Sequence, residues 1–263
     1  MVEINIPKDL LPLDGRFGCG PSKVRPEQLA AFNTEGAKLI GTSHRQAPVK
    51  NLVKRVQDGL MDLFHNPNGY EIVLGNGGST AFWDVASFSL AEGKSQLLVH
   101  GEFGAKFATS LSAPWLEKPT VVQAEAGSRS ELRGEAGVSA YAYPQNETST
   151  GVVTPVKRVS GADAGALFFT DATSAAGGID FDPHETDVYY FAPQKNFASD
   201  GGLWFALMSP QAIERAERIA ASDRYIPEFL SLKTAIDNSR LNQTLNTPAI
   251  STLFLLAEQV DWI

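Results

Sequence analysis

The chain has 263 residues, 43% of them hydrophobic, a formal net charge of −8 and a single cysteine. That length supports one large domain or two modest ones with a substantial core, while the acidic balance and the lack of any lysine or arginine block argue against a nucleic-acid partner. Cys19 alone excludes an internal disulfide and argues against a thiolate metal site, and the four histidines show no helical ligand spacing, so no metal is expected and a reducing compartment fits.

The opening MVEINIPKDLLPLDGRFG lacks the basic start and apolar run of a signal peptide, and no segment approaches the ~18 apolar residues of a membrane helix. A cytoplasmic protein without a membrane partner is expected. PVKNLVKRVQDGLMDLFH (48–65) places Val49, Leu52, Val53, Val56, Leu60, Leu63 and Phe64 on one helical stripe with charges opposite. Short apolar runs then recur, each ended by small or turn residues: EIVLGN (71–76), QLLVHG (96–101), TVVQAEA (120–126), AYAYPQNE (140–147), ALFFTDA (166–172), VYYFAPQ (188–194) and LWFALMS (203–209). Several are apolar almost throughout, the pattern of strands covered on both faces. Helical segments between many of them predict an α/β domain with a mostly parallel sheet. LWFALMS comes too soon after its predecessor for a crossover and is predicted to lie antiparallel or at an edge. AEAGSRSELRGEAGVS (124–139) reads as a solvated excursion. The last segment, TPAISTLFLLAEQVDWI, opens with Thr247 as the expected N-cap and Pro248 at the first helical position, then reaches Ile263 without a closing glycine, so the chain reads as a piece of a longer protein.

In parallel α/β sheets ligands sit beyond the carboxyl ends of the strands, so the residues after each run are the candidates. GNGGSTAFWD comes at the end of the run at 71–76; its glycines and Ser79 at a helix start either form an ordinary capped turn or cradle a phosphate. Asp171 ends ALFFTD and either caps the next helix or faces a buried cationic ligand group. Lys195, in FAPQKNFASDGG, leaves the end of the next run. An amine, an acid and an anion cradle on three strand ends match the needs of pyridoxal 5′-phosphate: a lysine to form a Schiff base, a carboxylate against the pyridine nitrogen and a site for the phosphate. Phe103, in HGEFGAKF, is placed either to stack on the ring or to fill the core. Thr148, in YPQNETSTG, is placed to reach the ring's phenolic oxygen.

Taken in order, FGCGPSKV (17–24), GTSHRQAPV (41–49), LGNGGSTAFWD (74–84), HGEFG (100–104), PQNETSTGV (144–152), TDATSAAGG (170–178), APQKNFASDGGLW (192–204) and LNTPAI (245–250) resemble the phosphoserine aminotransferases, fold-type I pyridoxal-phosphate enzymes of class V, and in particular their actinobacterial branch. The resemblance implies a large domain built on a mostly parallel seven-stranded sheet with one antiparallel strand and helices on both faces. It divides the chain into an N-terminal segment (1–48) that contributes to the substrate site, the cofactor-binding domain (49–250) and the start of a helix (251–263) leading to a small C-terminal domain. That further domain would supply an arginine for the substrate's α-carboxylate, so cofactor binding is expected of this chain and turnover of the parent enzyme. The implied reaction is transamination of 3-phosphohydroxypyruvate by glutamate, giving O-phosphoserine and 2-oxoglutarate in serine biosynthesis, with the phosphorylated threonine analogue of vitamin B6 synthesis as a second substrate. Lys195 would be the Schiff-base lysine and Asp171 the partner of the ring nitrogen. Gly78, Ser79 and Gln194 would hold the phosphate, with Phe103 stacking and Thr148 on the phenolic oxygen. Asn246 and Thr247 would reach the cofactor phosphate of a second subunit, implying a homodimer, and His44 and Arg45 would bind substrate anions; read without the family, those two are a polar pair in a surface loop. Relatives commonly carry tryptophan where this chain has Phe103. Two other readings are a small-substrate aminotransferase of the alanine–glyoxylate type and an inactive fragment that keeps the cofactor fold.

Overall fold

Each of the seven apolar runs becomes a strand in the computed structural model, which describes residues 4–11 and 18–263; Phe17, the first residue of the FGCGPSKV stretch, lies outside them. The strands are β1 (Glu71–Asn76), β2 (Lys94–Val99), β3 (Thr120–Gln123), β4 (Val138–Pro144), a short ribbon of β5 (Asn146–Glu147) and β6 (Val152–Val153), then β7 (Leu167–Asp171), β8 (Val188–Phe191) and β9 (Leu203–Met208). Apart from the ribbon, they form one sheet in the order β1-β9-β8-β7-β4-β2-β3. Neighbours run parallel from β8 through β7, β4 and β2 to β3. β9 is the single antiparallel strand, and it lies between β1 and β8 rather than at an edge. With only 11 residues separating Phe191 from Leu203, no crossover helix fits and the chain must turn back.

The central strands are buried on both faces, which is why they lack polar alternation: every residue of β7, β8 and β9 is buried. On one face lie α3 (Ser79–Ser89), α4 (Glu102–Ser110), α5 (Pro210–Ala220) and α6 (Leu232–Arg240), around a core that includes Phe82, Trp83, Phe107, Phe169, Tyr190 and Leu232. On the other lie α2 (Ala47–Leu63) and α7 (Ile250–Val260), with α1 (Pro26–Thr34) packed on α7. The stripe read from the sequence of α2 is its buried face: Val49, Leu52, Val53, Val56 and Leu60. Among the described residues no helix is long and apolar enough to cross a membrane.

Two local expectations change. α7 starts at Ile250 with Ala249 at its N-cap, so Thr247 caps nothing; its hydroxyl meets His44 Nδ1 at 3.2 Å instead. The 124–139 excursion is mostly exposed, yet it is pinned to the sheet where the Glu135 carboxylate accepts from Gln96 at 2.8 Å and from Thr120 at 3.0 Å and pairs with Lys94.

Candidate active site

Beyond the carboxyl ends of β1, β4, β7 and β8 lies a cleft of about 240 Å³ whose lining includes Gly78, Ser79, Phe103, Thr148, Asp171, Gln194 and Lys195. Parallel strands leave their last residues level with one another, and pairing sets that level here: Pro144 lies opposite Asp171, and Asp171 opposite Tyr190. Two other clefts are larger, about 340 and 410 Å³. Their linings lack the pairing of a strand-end lysine with a buried carboxylate, so chemistry rather than size singles out the smaller one.

Asp171 is 6% exposed. Its Oδ1 accepts from the backbone N–H of Thr173 at 2.9 Å and from the Thr173 hydroxyl at 2.5 Å, and its Oδ2 accepts from the Trp83 indole at 3.3 Å. The same indole N–H lies 2.9 Å from the Tyr190 hydroxyl. Burial pushes the Asp171 carboxyl above the ordinary carboxylate range, and the hydrogen bonds from Thr173, Tyr190 and Trp83 oppose that shift. Among the described residues no lysine, arginine or histidine forms an ion pair with it. A buried carboxylate without a cation is costly, and a cationic ligand group in the cleft would relieve that cost. Tyr190 sits well above its ordinary range, through burial first and the neighbouring Asp171 second; it stays a neutral phenol.

Lys195 is half-buried, and its Nζ donates to the Cys19 carbonyl at 3.3 Å. Residues 19–22 therefore lie over the lysine, held there by the Ser22 N–H donating to the Gln194 carbonyl at 2.8 Å. Gly20 passes so close that an added Cβ would lie 2.7 Å from Lys195 Nζ, and its φ of +128° also favours glycine. Ser79 does not cap its own helix: α3 has Gly78 at the N-cap, and Ser79 Oγ lies 2.6 Å from Thr173 Oγ1. Its N–H and that of Gly78 belong to a first turn whose amide groups lack helical partners. Gln194 Oε1 is buried without a hydrogen-bond partner among the described residues. Thr148 is half-buried and donates to Ser174 Oγ at 2.8 Å.

His44, Arg45, Asn246 and Thr247 do not line this cleft. They gather in a second patch joined to it through the end of β1. Asn76 accepts from the Asn246 N–H at 3.3 Å and donates to the Thr247 carbonyl at 3.2 Å, and Asn76 precedes the Gly77–Gly78 turn by one residue. Arg45 donates to Gln243 Oε1 at 2.7 Å. Burial, and then the Arg45 charge, lowers the His44 imidazole below its ordinary value. A neutral His44 leaves the positive charge of this patch on the Arg45 guanidinium.

The class-V aminotransferase family pattern matches residues 22–263. A phosphoserine aminotransferase of a Nocardioides species is 58% identical over 262 residues, which span 99% of this chain and 70% of that protein. The chain belongs to the class-V aminotransferase family. Members of this family are pyridoxal-phosphate-dependent enzymes. Among solved structures, a phosphoserine aminotransferase from Cytophaga hutchinsonii superposes with a TM-score of 0.83 at 25% identity, covering 93% of this chain and 69% of that one. An alanine–glyoxylate aminotransferase from Nostoc sp. superposes with a TM-score of 0.75 at 18% identity, over 100% of this chain and 72% of that one, and shows the shared fold alone.

The cleft also contains residues the sequence did not single out. Trp83 stands four positions after Ser79, one helical turn along α3, so both face inward. Thr173 stands two positions after Asp171, the spacing of an Asx turn. Those two spacings were available signals; the pairing of Trp83 with Tyr190 across 107 residues had none.

Proposed function

We propose that the protein is a phosphoserine aminotransferase, using pyridoxal 5′-phosphate to exchange the amino group of glutamate with 3-phosphohydroxypyruvate in serine biosynthesis. The observation that carries this reading is the single cleft that brings Lys195, Asp171 and the Gly78–Ser79 helix start together. The residues fit the cofactor: Asp171 is a buried acid lacking a cation among the described residues, and the first turn of α3 presents N–H groups. When bound, the cofactor supplies an electron sink for the substrate's α-carbon.

In this reading Asp171 holds positive charge at the ring nitrogen, and Trp83, Thr173 and Tyr190 hold Asp171 in place. Gly78, Ser79 and Gln194 bind the phosphate by hydrogen bonds and helix dipole, without a cationic side chain. Phe103 stacks on the ring and Thr148 addresses its phenolic oxygen. Lys195 attaches the cofactor and, once displaced by substrate, carries a proton to and from the α-carbon at its Nζ. Arg45 binds the second anion that distinguishes a phosphorylated substrate. Asn246 and Thr247 complete the phosphate site of a partner subunit; their exposure in a single chain, outside the cleft, supports a homodimer with shared sites. We further propose a cytoplasmic location and the phosphorylated threonine analogue of vitamin B6 synthesis as a second substrate.

Half-reaction spectra test the assignment. O-Phosphoserine should discharge the visible band of the cofactor-loaded protein far faster than alanine or serine. Equal rates for alanine would favour the alanine–glyoxylate type, and a stable band that no amine discharges would favour a cofactor-binding fold without turnover.

A further inference from the structure

Glu147 is fully buried, yet among the described residues it has no cationic partner. Its carboxylate is instead wrapped by donors from two segments. Oε2 accepts from the Gly104 N–H at 3.0 Å, and Oε1 accepts from the Phe103 N–H at 3.4 Å, the Ser149 N–H at 3.1 Å and the Ser149 hydroxyl at 2.7 Å. Phe103 and Gly104 are the second and third residues of α4, whose first-turn N–H groups lack helical partners and carry the positive end of the helix dipole. An acid 43 residues away in sequence thus does the work of an N-cap that α4 lacks, for Gly101 at that position has no side chain.

This contact explains Gly101 of HGEFG, while Gly104 is required by packing on the backbone of β2. A Cβ on Gly101 would lie 2.4 Å from Glu147 Cγ and 2.4 Å from Ser149 Oγ, and one on Gly104 would lie 3.0 Å from the Leu98 carbonyl oxygen. Only glycine at position 101 lets the helix start come this near the Glu147 side chain. Phe103 and Thr148, which line the cleft from two different segments, are each adjacent in the chain to an atom of this contact.

We propose that Glu147 is a positioning residue for the cofactor ring: it fastens the first turn of α4 to the strand β5 and so fixes Phe103 and Thr148 relative to each other. This rests on the reading of the cleft as the pyridoxal-phosphate site. Glutamine cannot replace Glu147, because in either orientation its amide nitrogen opposes an N–H donor of α4 or Ser149 and leaves both unsatisfied.

The test is a double-mutant cycle on cofactor affinity, titrating cofactor-free protein with pyridoxal 5′-phosphate and reading the visible absorbance. Glu147→Gln and Phe103→Ala should each weaken binding about tenfold, the scale of one well-placed aromatic contact. In the Phe103→Ala background Glu147→Gln should add less than about threefold, because the larger of the two contacts it positions is already gone and only that of Thr148 remains. Multiplying effects, or an unchanged affinity in Glu147→Gln, would overturn the proposal. Ser149→Ala, which removes the hydroxyl that donates to Glu147 and accepts from the Glu102 N–H at 2.9 Å while sparing the buried acid, guards against a variant that fails to fold: it should weaken binding clearly more in the wild-type background than in Phe103→Ala, and equal effects in both would likewise overturn it. The Phe103 and Gly104 amides should exchange hydrogen faster in cofactor-free Glu147→Gln; unaltered protection would refute the fastening itself. Failure of the wild-type protein to bind would refute the reading of the cleft, and this proposal with it.

Discussion

Replacing Asp171 with asparagine removes an ionisable group from a site where burial raises its acid form and no described cation offsets the charge. In the unfolded chain this carboxyl loses its proton near pH ~3.9, whereas in the folded, cofactor-free protein it holds the proton to higher pH. Between those two values the native state binds one more proton than the unfolded state, so stability falls as pH rises, by about 1.4 kcal/mol per pH unit from this group alone. Above the folded value the penalty is constant. Cofactor-free Asp171→Asn should lack that slope, and urea denaturation from pH 4 to 7 on both proteins isolates it as a difference. Adding pyridoxal 5′-phosphate to the wild-type protein should abolish the slope too, because a cation at the ring nitrogen favours the carboxylate. Identical pH profiles for wild type and Asp171→Asn would refute the argument that this acid waits for a positive partner.

The second patch and the core carry consequences of their own. Arg45→Ala should raise KM for the phosphorylated 2-oxo acid about ten- to hundredfold, the loss of one charge-assisted hydrogen bond, while the half-reaction with alanine changes little; steady-state kinetics on both substrates checks this. Mixing Lys195→Ala with Asn246→Ala/Thr247→Ala subunits should restore intact sites to about a quarter of the wild-type number if sites are shared across a two-fold dimer, and titrating tight cofactor binding counts them. Phe205→Ala, at a fully buried position of the antiparallel strand, should cost about 3–5 kcal/mol in cofactor-free protein, read as a lower denaturation midpoint.

Much of the fold was legible because double-sided burial leaves its mark on composition: VYYF and LWFALM admit no charged residue and no polar group beyond the tyrosine hydroxyls and the tryptophan indole, and both proved to be strands with every position buried. The strand-end rule then pointed to Asp171, Lys195 and the Gly78–Ser79 turn without reference to any relative, and these do meet in one cleft. What escaped the sequence is set by distant partners. Whether Ser79 capped its helix or faced a ligand could not be decided until Thr173 was seen beside it, 94 residues on. Thr247 had the spacing of an N-cap before Pro248, yet its hydroxyl pairs with His44, and the helix begins past the proline at Ile250. Glu147 has a local partner in Ser149, two residues on, but nothing nearby in the sequence pointed to its other partners, the N–H groups at the start of α4 more than 40 residues earlier.

The account depends on Lys195 Nζ being the amine that captures the cofactor while Asp171 faces the opposite end of the ring. Reconstituting the protein with pyridoxal 5′-phosphate, reducing it with borohydride and mapping the added mass by peptide sequencing addresses this directly. The expected result is a single pyridoxyl group on Lys195 in wild-type protein and none in Lys195→Ala. A modified lysine elsewhere, or an unmodified Lys195 in a protein that holds the cofactor tightly, would contradict it.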